Sequence, residues 1–309
     1  MVSYNVFVRK LLASTSRLLI LTLSAWPVVA QQRPDTTYQP AVVAEFRDDE
    51  HTVIMIDEAH HNFHTASGGY RPFADLLSRH GYMIKPGIKQ FSAAGLKGVK
   101  VLLIANALNE VNATNWALPT PSAFTPEEIR AVNEWVKQGG ALFLISDHMP
   151  FPGAAAELAA SFGFRFYNGF VFDSTDREKS YDIYKRSDGS QGPVGKLLRV
   201  NIDSIASFTG QAFDIPGHAT SLLNTSDRHT ILLPSEAWAF NKNTPSLSAK
   251  GKSQGAIMEY GKGRVAVFGE AAMFTAQIAG GMKVGMNSKA GAGNYLLLLA
   301  LVRWLKHEG

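Results

Sequence analysis

Between Asp57 and His64 the chain reads Asp-Glu-Ala-His-His-Asn-Phe-His, three imidazoles and two carboxylates directly after the apolar run Thr52–Ile56. Imidazole nitrogen and carboxylate oxygen are the donors that Zn²⁺ and other divalent ions take, with positions left open for water. Three other apolar runs also end in polar residues. Asn106 follows Val99–Ala105, Asp147 and His148 follow Ala141–Ser146, and Glu270 closes Arg264–Gly269. If these runs are parallel strands of one sheet, their carboxyl ends form one rim, which is where open α/β sheets bind ligands.

That rim sets the expected site. His60, His61 and His64 with Asp147 and His148 would hold a divalent metal, Zn²⁺ first among the candidates. Glu58 or Glu270 would act as general base on water. Asp57, Asn106 and Tyr70 would touch substrate. A metal-dependent hydrolase is one reading of this set. A non-catalytic binding domain would use the same rim without a held metal, and a scaffold would instead expose an apolar patch. Polar residues at strand ends also cap helices and meet water, so residue types alone leave the choice open.

Several chemistries are excluded. The chain has no Cys, which removes thiolate metal sites and cysteine nucleophiles. Asp57-Glu58-Ala59-His60 spells a helicase box, but no phosphate-binding Gly-x-x-x-x-Gly-Lys-Ser/Thr precedes it. There is no Gly-x-Ser-x-Gly elbow. Ser146 stands beside Asp147 and His148, yet neighbours on an extended chain point to opposite faces, which argues against a Ser146 nucleophile. His60 and His64 lack the Glu placement of the helical zinc-protease motif.

Elements able to position these residues can be read from periodicity. The apolar runs are hydrophobic on both faces, the pattern of buried parallel strands. Between them, Pro72 opens a stretch with Phe73, Leu76 and Leu77 on one face, closed by Gly81. Thr125-Pro126-Glu127-Glu128 is a helix start, and Gly139-Gly140 a helix stop. Ala154–Phe162 and Asn294–Leu305 are further helices. Alternating strands and helices with right-handed crossovers predict an α/β, doubly wound, mostly parallel sheet with helices on both faces. Residues 166–234 break that rhythm and are expected as an irregular β-containing insertion. Gly261-Lys262-Gly263 reads as a hairpin turn.

Residues 1–30 carry Arg9, Lys10 and Arg17 ahead of the apolar stretch Leu18–Trp26, and end in Ala30. This is the pattern of a signal peptide cleaved before Gln31. The expected organisation is therefore a leader over 1–30, a linker over 31–49 and one domain over 50–309, in a periplasmic or secreted protein. The chain's formal net charge of +4 includes the three leader cations, so the mature part is close to neutral. Nucleic-acid binding loses its electrostatic support. No later run is long enough to span a membrane.

Three segments together resemble a known family: the strand ending in Asp57-Glu58-Ala59-His60, then Leu96–Asn106, then Phe124–Gly140. They are similar to the class I glutamine amidotransferase-like superfamily, and within it to an uncharacterised secreted branch related to gliding-motility and intraflagellar-transport domains. Tyr260–Val265 and Gly269-Glu270 match the closing hairpin of that branch. The resemblance covers about residues 50–165 and 255–305. It implies a flavodoxin-like layer fold and a small-molecule or glycan ligand. The amidotransferase Cys is missing, with Ser146-Asp147-His148 at the corresponding strand end, so glutamine hydrolysis by that mechanism is excluded.

Overall fold

The computed structural model describes residues 32–176 and 181–306. The leader expected over 1–30 lies outside the described residues. Seven strands build the main sheet: β1 (Val53–Asp57), β2 (Met83–Gly87), β3 (Val101–Ala105), β4 (Ala141–Ile145), β5 (Thr220–Asn224), β6 (Ser253–Tyr260) and β7 (Gly263–Phe268). Their order is β2-β1-β3-β4-β7-β6-β5. The first five in that order run parallel. β6 is antiparallel to both its neighbours, so the sheet is mixed.

Every residue of β3 and β4 is buried, as their unbroken apolar runs require. Side chains alternate between two cores. Ile54, Leu103 and Phe143 pack with Phe73 and Leu77 of α1 (Arg71–Arg79), and the same core takes in a helix near the C-terminus. Met55, Leu102 and Leu144 pack on the other face with Val132 and Val136 of α2 (Pro126–Lys137) and Leu158 of α3 (Phe151–Ser161). A short α4 spans Val194–Leu198. The C-terminal helix, α5 (Asn294–Leu305), has the expected bounds. No helix among the described residues is long and apolar enough to cross a membrane.

The hairpin expected at residues 261–263 joins β6 to β7, with Gly261 at a φ of 61° and Tyr260 paired with Gly263. A Cβ on Gly263 would stand 2.1 Å from the carbonyls of Gly140 and Val136, so the turn presses directly on the end of α2.

Two expectations change, and one strand is new. β2 was not legible, because Met-Ile-Lys-Pro-Gly is a short edge strand with Met83, Lys85 and Pro86 exposed. The segment 166–234 is not wholly separate, since its residues Thr220–Asn224 form the far edge of the main sheet. The rest of it does hold short strands, with Phe170–Asp173 and His229–Leu232 paired antiparallel. Finally, residues 32–49 are pinned rather than free: Arg33 and Pro34 pair with Ile278 and Gln277, and the Asp35 N–H donates to the Ala276 carbonyl at 2.8 Å.

Candidate functional site

β3 lies between β1 and β4, so the loop after β1 reaches the end of β4 through the end of β3. Asn106 makes that link from a left-handed backbone, φ 54°. Its carbonyl accepts the Phe63 N–H at 3.0 Å, and its Oδ1 accepts the Asp147 N–H at 2.9 Å. The loop after Asp57 and the pair Asp147-His148 thus share one rim, with Asn106 spent on holding it together.

His60 departs most from its expected role. One ring nitrogen, Nδ1, sits 2.9 Å from both oxygens of Asp57, and Nε2 sits 2.8 Å from Glu128 Oε1. Phe91 and Phe124 flank the ring, each centroid 4.7 Å away. Burial opposes charging this imidazole, but the hydrogen bonds and charges of Asp57 and Glu128 outweigh it and raise the pKa. With both nitrogens committed, His60 has no lone pair for a metal. Asp57 is equally committed, also accepting from the Ala59 N–H and from Asn62 Nδ2, so it does not face a substrate. In the sequence Glu128 reads only as a helix-start acid. It does form the capping box with Thr125, and its other oxygen takes the Phe91 N–H and His60.

A second group gathers at the ends of β4 and β7. Glu270 is fully buried, its Oε1 accepting the Ala272 N–H at 2.6 Å and its Oε2 the Met273 N–H at 2.8 Å. Burial first, and the neighbouring Asp147 charge second, push its pKa up to about 8. Asp147 is raised too, mainly by burial, while His148 and the amide donors pull it down. The Asp147 Oδ1 accepts the His148 N–H at 2.7 Å, and Oδ2 faces the Ala271 N–H at 3.4 Å. Tyr70 joins this group from below: it is fully buried and donates its hydroxyl to the Ala271 carbonyl at 2.9 Å. It is therefore a packing residue, contrary to a substrate contact. Burial and the two carboxylates push its pKa well above the phenol range.

The remaining candidates scatter. Glu58 accepts the Ala66 N–H at 2.8 Å, closing its own loop. His61 is exposed in a left-handed conformation, φ 46°. His64 is buried with its ring stacked 4.5 Å from Tyr70 and its Nδ1 facing Gly69, and burial alone lowers its pKa to about 3. The ring nitrogen Nδ1 of His148 pairs with the Met149 carbonyl at 2.7 Å. Among the described residues no three His, Asp or Glu side chains come together in a group fit for a metal ion. Of the residues named for the ion, His60 has both ring nitrogens committed, whereas the buried Nδ1 of His64 has no hydrogen-bond partner among the described residues.

Sequence reading missed the aromatic character of the rim. From Tyr70 and His64 the rings continue through Phe63 and Trp116 to His148, at centroid spacings of 5.1 Å, 5.7 Å and 6.1 Å. His148 stacks on Phe170 at 4.5 Å and meets the edge of Trp238 at 4.7 Å. Phe240 extends the row to a cleft of about 210 Å³ lined by Phe172, Ser174, Thr230 and Leu232. Phe63 is 45% exposed and Trp238 52% exposed. These rings come from loops and from the strand Phe170–Asp173, far apart in the sequence, so only the folded chain reveals the row.

No family model and no curated protein matches the chain in sequence. Its fold is similar to that of the mmIFT52 N-terminal domain, with a TM-score of 0.56 at 14% identity, over 83% of this chain and 98% of that one. Weaker likenesses include a putative thua-like protein from Bacteroides uniformis, at a TM-score of 0.47, 12% identity and coverage of 87% and 95%. Another is the cytoplasmic protein STM3548 from Salmonella typhimurium, at 0.42, 18% identity and coverage of 72% and 88%.

Proposed function

We propose that the protein is a non-catalytic ligand-binding domain whose aromatic rim takes a carbohydrate-type molecule of the cell envelope, on a Cys-lacking glutamine amidotransferase-like scaffold. The observation that carries this reading is the aromatic row from Phe63 to Phe240, exposed at Phe63, Trp238 and Phe240 and buried at Phe170, beside carboxylates that are buried and already bound to backbone amides. Flat rings that expose an apolar face suit the apolar faces of sugar rings, and polar groups such as Ser174 and Thr230 would orient the hydroxyls. The scaffold reading is supported by the order β2-β1-β3-β4-β7, which is the flavodoxin-like order 2-1-3-4-5. The strand order reverses between β1 and β3, which is where that arrangement binds its ligands. A periplasmic or secreted location, proposed from the leader, would put the rim in contact with such molecules.

A metal-dependent hydrolase is the rival. Affinity electrophoresis in gels cast with neutral envelope polysaccharides separates the two. Trp238→Ala should weaken retardation by roughly tenfold, the loss of one well-packed aromatic contact, while Glu270→Gln should leave it unchanged. Release of reducing ends by the wild-type protein, abolished in Glu270→Gln, would overturn the binding reading. Stoichiometric metal in protein purified without a His tag, lost on His61→Ala, would restore the metal site.

A further inference from the structure

A second cleft, of about 610 Å³, draws its walls from three segments, none of which supplies a residue at the carboxyl ends of the main sheet's parallel strands. Val43, Glu45 and Phe46 come from the N-terminal strap, Arg186, Arg199 and Val200 from the region around α4, and Leu296 from α5. Its charges are not balanced. Glu45 is taken by Arg303, whose Nη1 lies 2.8 Å from Oε1. Arg303 also donates through Nη2 to the carbonyls of Leu198 and Arg199, at 2.8 Å and 3.0 Å, closing the end of α4. Arg186 donates Nη2 to Asn201 Oδ1 and to the Ile202 carbonyl, and lies 3.8 Å from Asp203. Arg199 is different. Its guanidinium has no hydrogen bond or ion pair among the described residues, although it lines the cleft beside Arg186.

The backbone of Arg199 is also costly. It stands at φ 51° and ψ 49°, the left-handed position that ends a helix and that Gly fills without strain. Arg199 is exposed, so its charge meets water in the free chain and is available to a ligand without breaking an ion pair. Around it the lining is mixed, with Val43, Phe46, Val200 and Leu296 as its apolar part and Glu45, Arg186 and Asn201 as its polar part. A ligand that satisfies both features carries one anionic group for the fork of a guanidinium and an aliphatic body for the floor.

We infer that this cleft binds a small amphiphilic anion, an aliphatic carboxylate or its equivalent, with Arg199 taking the charge and Arg186 beside it. This inference stands apart from the aromatic rim, and an aliphatic probe avoids that rim's stacking surface.

The test uses octanoate and octylammonium as matched probes, titrated to about 10 mM against the full chain by saturation-transfer NMR. Octanoate should bind and octylammonium should not. Arg199→Gly removes the cation and relieves the left-handed strain, so it should melt no lower than the wild type while binding octanoate about fivefold more weakly. Arg199→Lys keeps the charge and loses the fork, so it should bind octanoate more weakly than the wild type and more tightly than Arg199→Gly. Equal octanoate binding by wild type and Arg199→Gly, equal binding of the two probes, or no octanoate binding would overturn the inference.

Discussion

Glu270 carries a proton at neutral pH because burial and the Asp147 charge oppose its ionisation. Its folded pKa of about 8 stands above the ordinary 4.5. Between those values the folded chain holds a proton that the unfolded chain has released, so stability is full below the lower value, falls through the window and levels off above the upper one. Asp147, also raised, adds a loss of the same sign. His60, with a raised pKa, contributes likewise as pH passes its own folded value. Urea unfolding from about pH 5 to about pH 9 should therefore show stability dropping by a few kcal/mol, on the order of 2–4. Glu270→Gln keeps the shape and removes the ionisation, and should flatten much of the slope. A slope identical in Glu270→Gln would mean that another group carries the dependence.

His60 works at the scale of elements: it fastens the loop after β1 to the first turn of α2, across two aromatic rings. Its removal leaves Asp57 and Glu128 buried without their shared partner. His60→Ala should cost about 3–5 kcal/mol in urea unfolding, as expected for an uncompensated buried charge. Adding Glu128→Gln should cost much less than its effect in the wild type, because the two side chains act as one unit. Additive losses would refute the clamp. This pair also shows why legibility was uneven. The strands β1, β3, β4 and β7 and the start of α2 were readable, since burial on both faces and helix capping are local signals. Glu128 was readable as a cap, but nothing local announces a partner at a separation of 68 residues. Three His residues within five positions invite a metal reading because sequence cannot tell a ligand from a clamp. Each ring meets a different environment: two carboxylates for His60, solvent for His61, an aromatic face for His64. β2 stayed hidden because an edge strand with Lys85 and Pro86 has neither alternation nor an apolar run.

At the scale of the whole molecule, the N-terminal strap is what joins the start of the described chain to its end. Lys306, just past α5, pairs with Asp48 Oδ1 at 2.5 Å, and both side chains are almost wholly buried. The Asp48 carboxylate also accepts the Thr52 N–H and hydroxyl, and its own N–H donates to the His80 carbonyl. Burial opposes the Asp48 charge, yet these partners hold its pKa below the usual carboxylate value. The buried His80 ring adds a second tie, 2.8 Å from the Leu76 carbonyl through Nδ1 and accepting the Val43 N–H at Nε2. Burial lowers its pKa, which suits a neutral ring that must accept at Nε2. Lys306→Met would strand Asp48 as a buried charge, at a cost of about 3–5 kcal/mol. Asp48→Asn together with Lys306→Met removes both charges and should recover a large part of that loss, since a well-packed neutral pair can replace a buried ion pair. Limited proteolysis reads the same event locally: in Lys306→Met, cutting at Arg47 should precede cutting within the sheet. If the double variant is no more stable than Lys306→Met, or Arg47 stays as protected as in the wild type, the pair does not hold the strap.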